Sequence, residues 1–502
     1  MSARCFEIMH YIYHSWRALM TAPLSRKTSV ARRLCAMFVV AIISSSVNAQ
    51  LPDSLRQVIQ SQPLPMDSMG IWVKSVDSST PIVSHNAERL FNPASTIKVA
   101  TTLAALLELG PNYTWPTSIR STAPVENGVL RGDLIIRGTG DPGAVSEEHW
   151  RMLRDLQRMT GLKRIEGNVI LDASYFMLPP EDPGAFDGQP YRAYNQLPYA
   201  LHVNSNSIRF HIIPDGDSIR IEAEPPLPGL KINNQLTRGN GNCDAWQRGI
   251  RYDVGRNEVT FSGAYPVNCG NYELLRTAVA PDFNTAELFR LHWAQWGGVI
   301  TGDILSHQGG SLNYSHTLMV HHSRPLADLI KVANKWSHNV MTRHMALSVG
   351  ASRMGAPATL EKARVSLIEV LSEAGVNTQG MYIDNGSGLS RVARISPNQL
   401  GQILEVGWNS PRRPEIVSSL SISGIDGTTR RQYRNTPSAG QKHLKTGLLN
   451  QVSAITGYVR NRCNEDIMVV LLINHPEAHL GHGTRMQQTL MDWVYNSTGC
   501  SN

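Results

Sequence analysis

Three short groups of residues, far apart in the chain, carry side chains that can do chemistry together. They are Ser95-Thr96-Ile97-Lys98, Ser337-His338-Asn339 and Lys445-Thr446-Gly447. A serine hydroxyl is a weak nucleophile until a base takes its proton. Lysine becomes such a base when burial strips water from its ammonium and lowers its pKa. Residues three apart share one face of a helix, so Lys98 can reach Ser95. Ser337 can relay a proton to a leaving amine. Asn339 can hydrogen-bond a substrate amide or hold Lys98. Lys445 and Thr446 offer a positive charge and a hydroxyl, which suit a terminal carboxylate, and Gly447 lets a substrate backbone approach closely. Many ordinary helices and strands match any one group. The ordered set S-x-x-K, S-x-N and K-T-G points to acyl transfer through a serine ester.

These side chains need elements to hold them. The Ala/Leu-rich run Val99–Leu109 predicts a buried helix, capped by Asn92 or Ser95, with Pro93 in its first turn and Gly110-Pro111 as its stop. Leu326, Leu329, Ile330 and Ala333 follow helical spacing, which leaves Ser337 and Asn339 on the turn beyond that helix. Val452–Val459 alternates and Asp466–Ile473 is almost wholly apolar, so K-T-G falls on the first of three strands at the edge of a cleft.

The motif set resembles the low-molecular-mass class C penicillin-binding proteins, the D-alanyl-D-alanine carboxypeptidase/endopeptidase family. Further segments carry the likeness: Asn92-Pro93-Ala94-Ser95, Gly167-Asn168-Val169-Ile170-Leu171-Asp172, Asp384-Asn385-Gly386-Ser387-Gly388-Leu389-Ser390-Arg391 and Gly424-Ile425-Asp426-Gly427-Thr428. It runs from about Leu51 to the final helix. Two positions depart from the family pattern. His338 stands where an acidic residue is frequent, and Leu448 stands where a small hydroxyl residue is common. A backbone oxyanion hole formed by the N–H groups of Ser95 and Leu448 would not depend on the latter side chain. The resemblance also implies a subsite for a peptide side chain bearing an amine and a carboxylate. Arg391 would face the carboxylate and Asp187 the ammonium, with Phe186 or Tyr194 beside it.

The stretch between Ser95 and Ser337 is too long for one compact catalytic core. It contains strand-like runs at Val129–Ile136 and Ser207–Ile213 with Gly and Pro punctuation. With the family resemblance, which implies a β-lactamase/transpeptidase-like domain, the expected fold is α/β (α+β): that domain split by a β-rich insertion of one or two small domains. The expected parts are a signal peptide at 1–49, the first catalytic part at 50–119, the insertion at 120–277 and the second catalytic part at 278–502.

Arg32-Arg33, the apolar run Leu34–Ile43 and the small residues up to Ala49 read as an export signal cleaved after Ala49, with translation beginning at Met20. The apolar run is short for a membrane span, which takes about 20 residues. From Gln50 onward there are 41 basic and 39 acidic residues, so the basic excess of the whole chain belongs mainly to the leader and gives no reason to expect nucleic-acid binding. Four cysteines follow the leader and allow three pairings. The local ones, Cys243–Cys269 and Cys463–Cys500, are preferred and suit an oxidising periplasm. His475, His479 and His482 cluster in a Pro- and Gly-interrupted segment without H-E-x-x-H spacing, so a loop is favoured over a zinc site.

The reading that follows is a serine D-Ala-D-Ala carboxypeptidase, also cutting D-alanyl-diaminopimelate cross-links, that takes peptidoglycan peptides and is acylated by β-lactams. It needs no metal or organic cofactor. A β-lactamase or esterase on the same scaffold is the first alternative; it would deacylate rapidly, and no distinct acidic residue is placed for that purpose. A non-catalytic wall-binding protein is the second, and intact Ser95, Lys98, Asn339 and Lys445 count against it.

Overall fold

The structure is a computed structural model that describes residues 51–60, 63–244 and 249–497. At its centre is a six-stranded antiparallel sheet. Its spatial order is Ser421–Ile422, Lys442–Leu449, Val452–Arg460, Asp466–Asn474, Met69–Ser75 and Val83–His85. The first and last parts of the chain meet in this sheet, where Ile71 pairs with Leu471. Alternate residues of a strand point to opposite faces. Ile467, Val469, Leu471 and Ile473 accordingly enter one core with Leu55 and Ile59 of the Asp53–Gln60 helix and Met486, Leu490 and Val494 of the Gly483–Ser497 helix. Met468, Val470 and Leu472 enter a second core on the other face. There they join Leu103 and Leu106 of the Lys98–Glu108 helix, Met345 and Val349 of the Asn339–Met354 helix, and Leu400 and Leu404 of the Pro397–Asn409 helix. Burial on both faces explains why Asp466–Ile473 reads as continuous rather than alternating hydrophobicity. Each fully buried side chain of this kind contributes about 1.5–3 kcal/mol.

The stretch between Ser95 and Ser337 is rich in strands, and the run expected at Val129–Ile136 is two strands, Val129–Leu130 and Leu134–Arg137. A five-stranded sheet takes Pro116–Ser121, Leu134–Arg137 and Val169–Asp172 from the start of the excursion, and Ile304–His307 and His316–His322 from its end. Two three-stranded sheets are nested within it, built from strands between Ile208 and Arg276 around Phe210, Phe261 and Tyr265. Drawn by strand pairing, the inserted region runs from Pro116 to His322. Residues 278–322, expected in the second catalytic part, supply strands to it instead.

Cys243 and Cys269 are bonded, closing a loop within the nested sheets. Cys463 is also disulfide-bonded, and its expected partner Cys500 lies outside the described residues, as does the expected leader at 1–49.

Candidate active site

Ser95 sits at the end of the core-facing Lys98–Glu108 helix. That helix begins at Lys98, later than the sequence predicts, and Ser95 lies on a 3-10 turn, Ala94–Ile97, just before it. Ala94 holds a left-handed backbone at φ 45°, a conformation that costs energy and recurs at functional sites. Asn92 secures the turn through its own side chain, which accepts from the Ala94 N–H at 2.9 Å rather than capping the helix.

Lys98 is 0% exposed. Its Nζ donates to Ser95 Oγ at 3.0 Å, to Asn339 Oδ1 at 2.7 Å and to the Ser387 carbonyl. Burial holds its pKa well below the ordinary lysine value, and the nearby Lys445 charge lowers it further. Lys98 is thus a neutral-prone amine in contact with the serine hydroxyl, which is what a general base requires.

The second group forms a turn between two helices. Leu326–Lys335 ends, Ser337 adopts φ 58°, and Asn339 opens the Asn339–Met354 helix. Asn339 is therefore a helical residue rather than a loop residue. His338 is the N-cap, its Nδ1 accepting from the Met341 N–H at 3.3 Å. A short acceptor is preferred at that position, and an imidazole fills the role here. Burial pushes the His338 pKa down to about 4, helped by His202 and Lys98, so the ring is neutral near pH 7. Asn339 also donates from Nδ2 to the Tyr194 carbonyl at 3.0 Å, tying Lys98's partner to the inserted region.

The third group lies on the Lys442–Leu449 strand. Only Leu444 and His443 pair with the short Ser421–Ile422 strand, so Lys445 onward forms an edge on that side among the described residues. Lys445 is 0% exposed and burial lowers its pKa to about 7. Its Nζ donates to Ser337 Oγ at 2.9 Å and to the Thr446 carbonyl at 2.7 Å. A Cβ on Gly447 would stand 2.8 Å from the Pro93 carbonyl and 3.0 Å from Ser95 N, so only glycine lets this strand pass the serine. Leu448 is 60% exposed.

The sequence also singles out Arg391, Asp187, Phe186 and Tyr194. Arg391 lies over the Phe186 ring, 4.3 Å from its centroid, and donates to the Asn450 carbonyl at 3.2 Å. Asp187 accepts from Tyr194 Oη at 2.7 Å, Asn195 Nδ2 at 2.8 Å and Gln189 N at 3.0 Å. The inserted loop and the Gly386–Arg391 segment thus meet beside Asn339. The histidines at 475, 479 and 482 make separate hydrogen bonds, to Glu477 N, Gln451 N and Arg485 Nη2. No sequence motif marks the Ser387 main-chain carbonyl as a partner of Lys98, or the buried pair His202 and His344, whose ring centroids lie 4.3 Å apart behind the Ser337–Asn339 turn.

The chain belongs to the D-Ala-D-Ala carboxypeptidase 3 (S13) family, whose sequence pattern it matches over residues 51–494. It is a serine-type carboxypeptidase/endopeptidase hydrolase. It is 25% identical over 422 residues to the D-alanyl-D-alanine carboxypeptidase DacB of Haemophilus influenzae, covering 82% of this chain and 87% of that one. It is also 25% identical over 468 residues to the D-alanyl-D-alanine carboxypeptidase of an Actinomadura species, covering 88% and 84%. The crystal structure of penicillin-binding protein 4 (dacB) from Haemophilus influenzae shares its fold, with TM-score 0.74 and 23% identity over 88% of this chain and 99% of the other.

Proposed function

We propose that this chain is a periplasmic D-Ala-D-Ala carboxypeptidase acting through a Ser95 acyl-enzyme, and that it also cleaves D-alanyl-diaminopimelate cross-links in peptidoglycan. The observation that carries this reading is the fully buried Lys98 amine, held by Asn339 and Ser387 with Ser95 Oγ in its reach. Lys98 takes the Ser95 proton as Oγ attacks the carbonyl between two D-alanines. The backbone N–H groups of Ser95 and Leu448 hold the oxyanion, supported by the close passage of Gly447. The C–N bond breaks, and the leaving amine takes its proton through Ser337, which Lys445 contacts. Water then attacks the ester and frees Ser95. Lys445 and Thr446 receive the terminal carboxylate of the leaving residue. The contacts among Arg391, Phe186, Asp187 and Tyr194 support a subsite for a diaminopimelate side chain on the acyl side. Export with cleavage after Ala49 completes the reading, and among the described residues no helix is long and apolar enough to cross a membrane.

Intact mass spectrometry of the mature protein with and without benzylpenicillin, alongside Ser95→Ala, tests the proposal. A stable adduct present in the wild type and absent from the variant is the expected result. Rapid drug hydrolysis without an adduct would point to a β-lactamase. Neither adduct nor hydrolysis would overturn catalysis through Ser95.

A further inference from the structure

The Gly424–Thr428 segment packs beside the K-T-G strand yet has no part in the chemistry described above. Its geometry is tightly set. The Asp426 carboxylate takes the Lys335 ammonium at 2.6 Å and the Ile422 N–H at 2.7 Å. Lys335 closes the helix that leads into Ser337, so this pair fixes the segment to the turn carrying Ser337. Gly427 sits at φ 57°, and a Cβ there would meet the Lys335 carbonyl at 2.5 Å, so the backbone requires glycine. Ser421, 0% exposed, accepts the Thr428 N–H at 3.2 Å and donates to the Lys335 carbonyl at 3.1 Å.

All of this delivers one exposed hydroxyl. Thr446 Oγ1 donates to Thr428 Oγ1 at 2.8 Å. Two hydroxyls therefore stand together at the open edge of the strand, with the Lys445 ammonium on the adjacent residue. On the same strand, Leu448 falls on the face of Thr446 by the two-residue alternation, and its exposed side chain has no hydrogen-bonding group. An anion at this edge would find one hydroxyl from the strand and lack a second, unless Thr428 supplies it.

We propose that Thr428 is a substrate-binding residue. Its hydroxyl, with Thr446 and Lys445, completes the site for the α-carboxylate of the leaving D-amino acid, in place of the hydroxyl that Leu448 does not provide. The inference rests on the peptidase reading and deepens it. In the free protein Thr428 accepts from Thr446. When a carboxylate arrives, both O–H groups turn outward to donate to its oxygens, and the buried ammonium supplies the charge.

The test compares wild type, Thr428→Val, Thr428→Ser and the double variant T428V/L448T. The substrates are a diacyl-L-Lys-D-Ala-D-Ala peptide and its C-terminal carboxamide, and unfolding midpoints confirm intact folds. A hydrogen bond to a charged group is worth roughly ten- to a hundred-fold in affinity. Thr428→Val is expected to lower kcat/KM for the free acid by roughly ten-fold or more, chiefly through KM. Thr428→Ser stays near wild type, the double variant recovers most of the loss, and the preference for the free acid over the carboxamide falls in Thr428→Val alone. Equal losses with valine and serine, or no loss with valine, would overturn the assignment of Thr428. Wild-type protein that cleaves neither peptide would overturn the peptidase reading, and this inference with it.

Discussion

Replacing Lys445 by methionine is expected to make the protein more stable while removing its activity. The ammonium sits in a fully buried place where burial lowers its pKa from 10.5 to about 7. At about 1.36 kcal/mol per unit, that difference amounts to about 5 kcal/mol against folding whenever the lysine is charged in both states. Methionine has nearly the same length and no charge. Its introduction leaves Ser337 Oγ and the Thr446 carbonyl without their donor, which returns about 1–3 kcal/mol. A net gain of about 2–4 kcal/mol remains, which at a chain of this size raises the unfolding midpoint by a few degrees.

The pH dependence separates this cause from a better-packed core. Below about pH 7 the lysine is protonated in the folded and unfolded states, so the full cost is present. Between about 7 and 10.5 the unfolded chain binds the proton and the folded chain does not, so wild-type stability rises with pH. Above 10.5 both states are neutral and the cost is gone. The advantage of Lys445→Met is therefore greatest at pH 6 and shrinks steadily toward pH 10.5. Differential scanning calorimetry of both proteins across that range measures it, and peptidase assays are expected to show a loss of roughly a hundred-fold or more in kcat/KM. A variant less stable than wild type at pH 6, or an advantage that does not change with pH, would refute the reasoning.

Two further outcomes follow from other groups. Burial lowers His149 to about 3, His202 and His338 to about 4, and His344 well below the ordinary imidazole value. The unfolded chain binds these protons from about pH 6.5 downward while the folded chain refuses them. Stability should then fall by up to about 5 kcal/mol per pH unit between pH 6 and 4, and circular dichroism during acid titration that stays flat through this window would contradict the burial of these rings. Arg391→Ala removes the guanidinium from Phe186 and is expected to raise KM for a diaminopimelate-containing pentapeptide several-fold while leaving kcat and penicillin acylation near wild type. A fall in kcat with unchanged KM would show that Arg391 acts on the reacting groups instead.

What the sequence makes legible depends on where the chemistry is carried. The roles proposed for Ser95, Lys98, Ser337, Asn339 and Lys445 belong to side chains, and their types and order point to one another across the chain. The central strands are equally legible, because a sheet buried on both faces leaves long apolar runs such as Ile467–Ile473. Backbone devices leave a weaker trace. The Ser387 carbonyl that helps hold Lys98 belongs to a Gly-Ser-Gly segment whose composition marks it as special without saying which atom does the work. The inserted region's limits are hidden for another reason: its outer sheet recruits Ile304–His307 and His316–His322 from the end of the excursion, and the hydrophobic pattern of a strand does not say which distant strand it will join. Leu448 and Thr428 combine both lessons. The missing hydroxyl is visible in the sequence, but the hydroxyl standing in its neighbourhood comes from a loop about twenty residues upstream and emerges only when Gly427 and Asp426 have folded it against Thr446. A departure from a motif is therefore best read together with what the fold brings to the same place, since chemistry constrains the groups around the substrate and leaves their origin in the chain free.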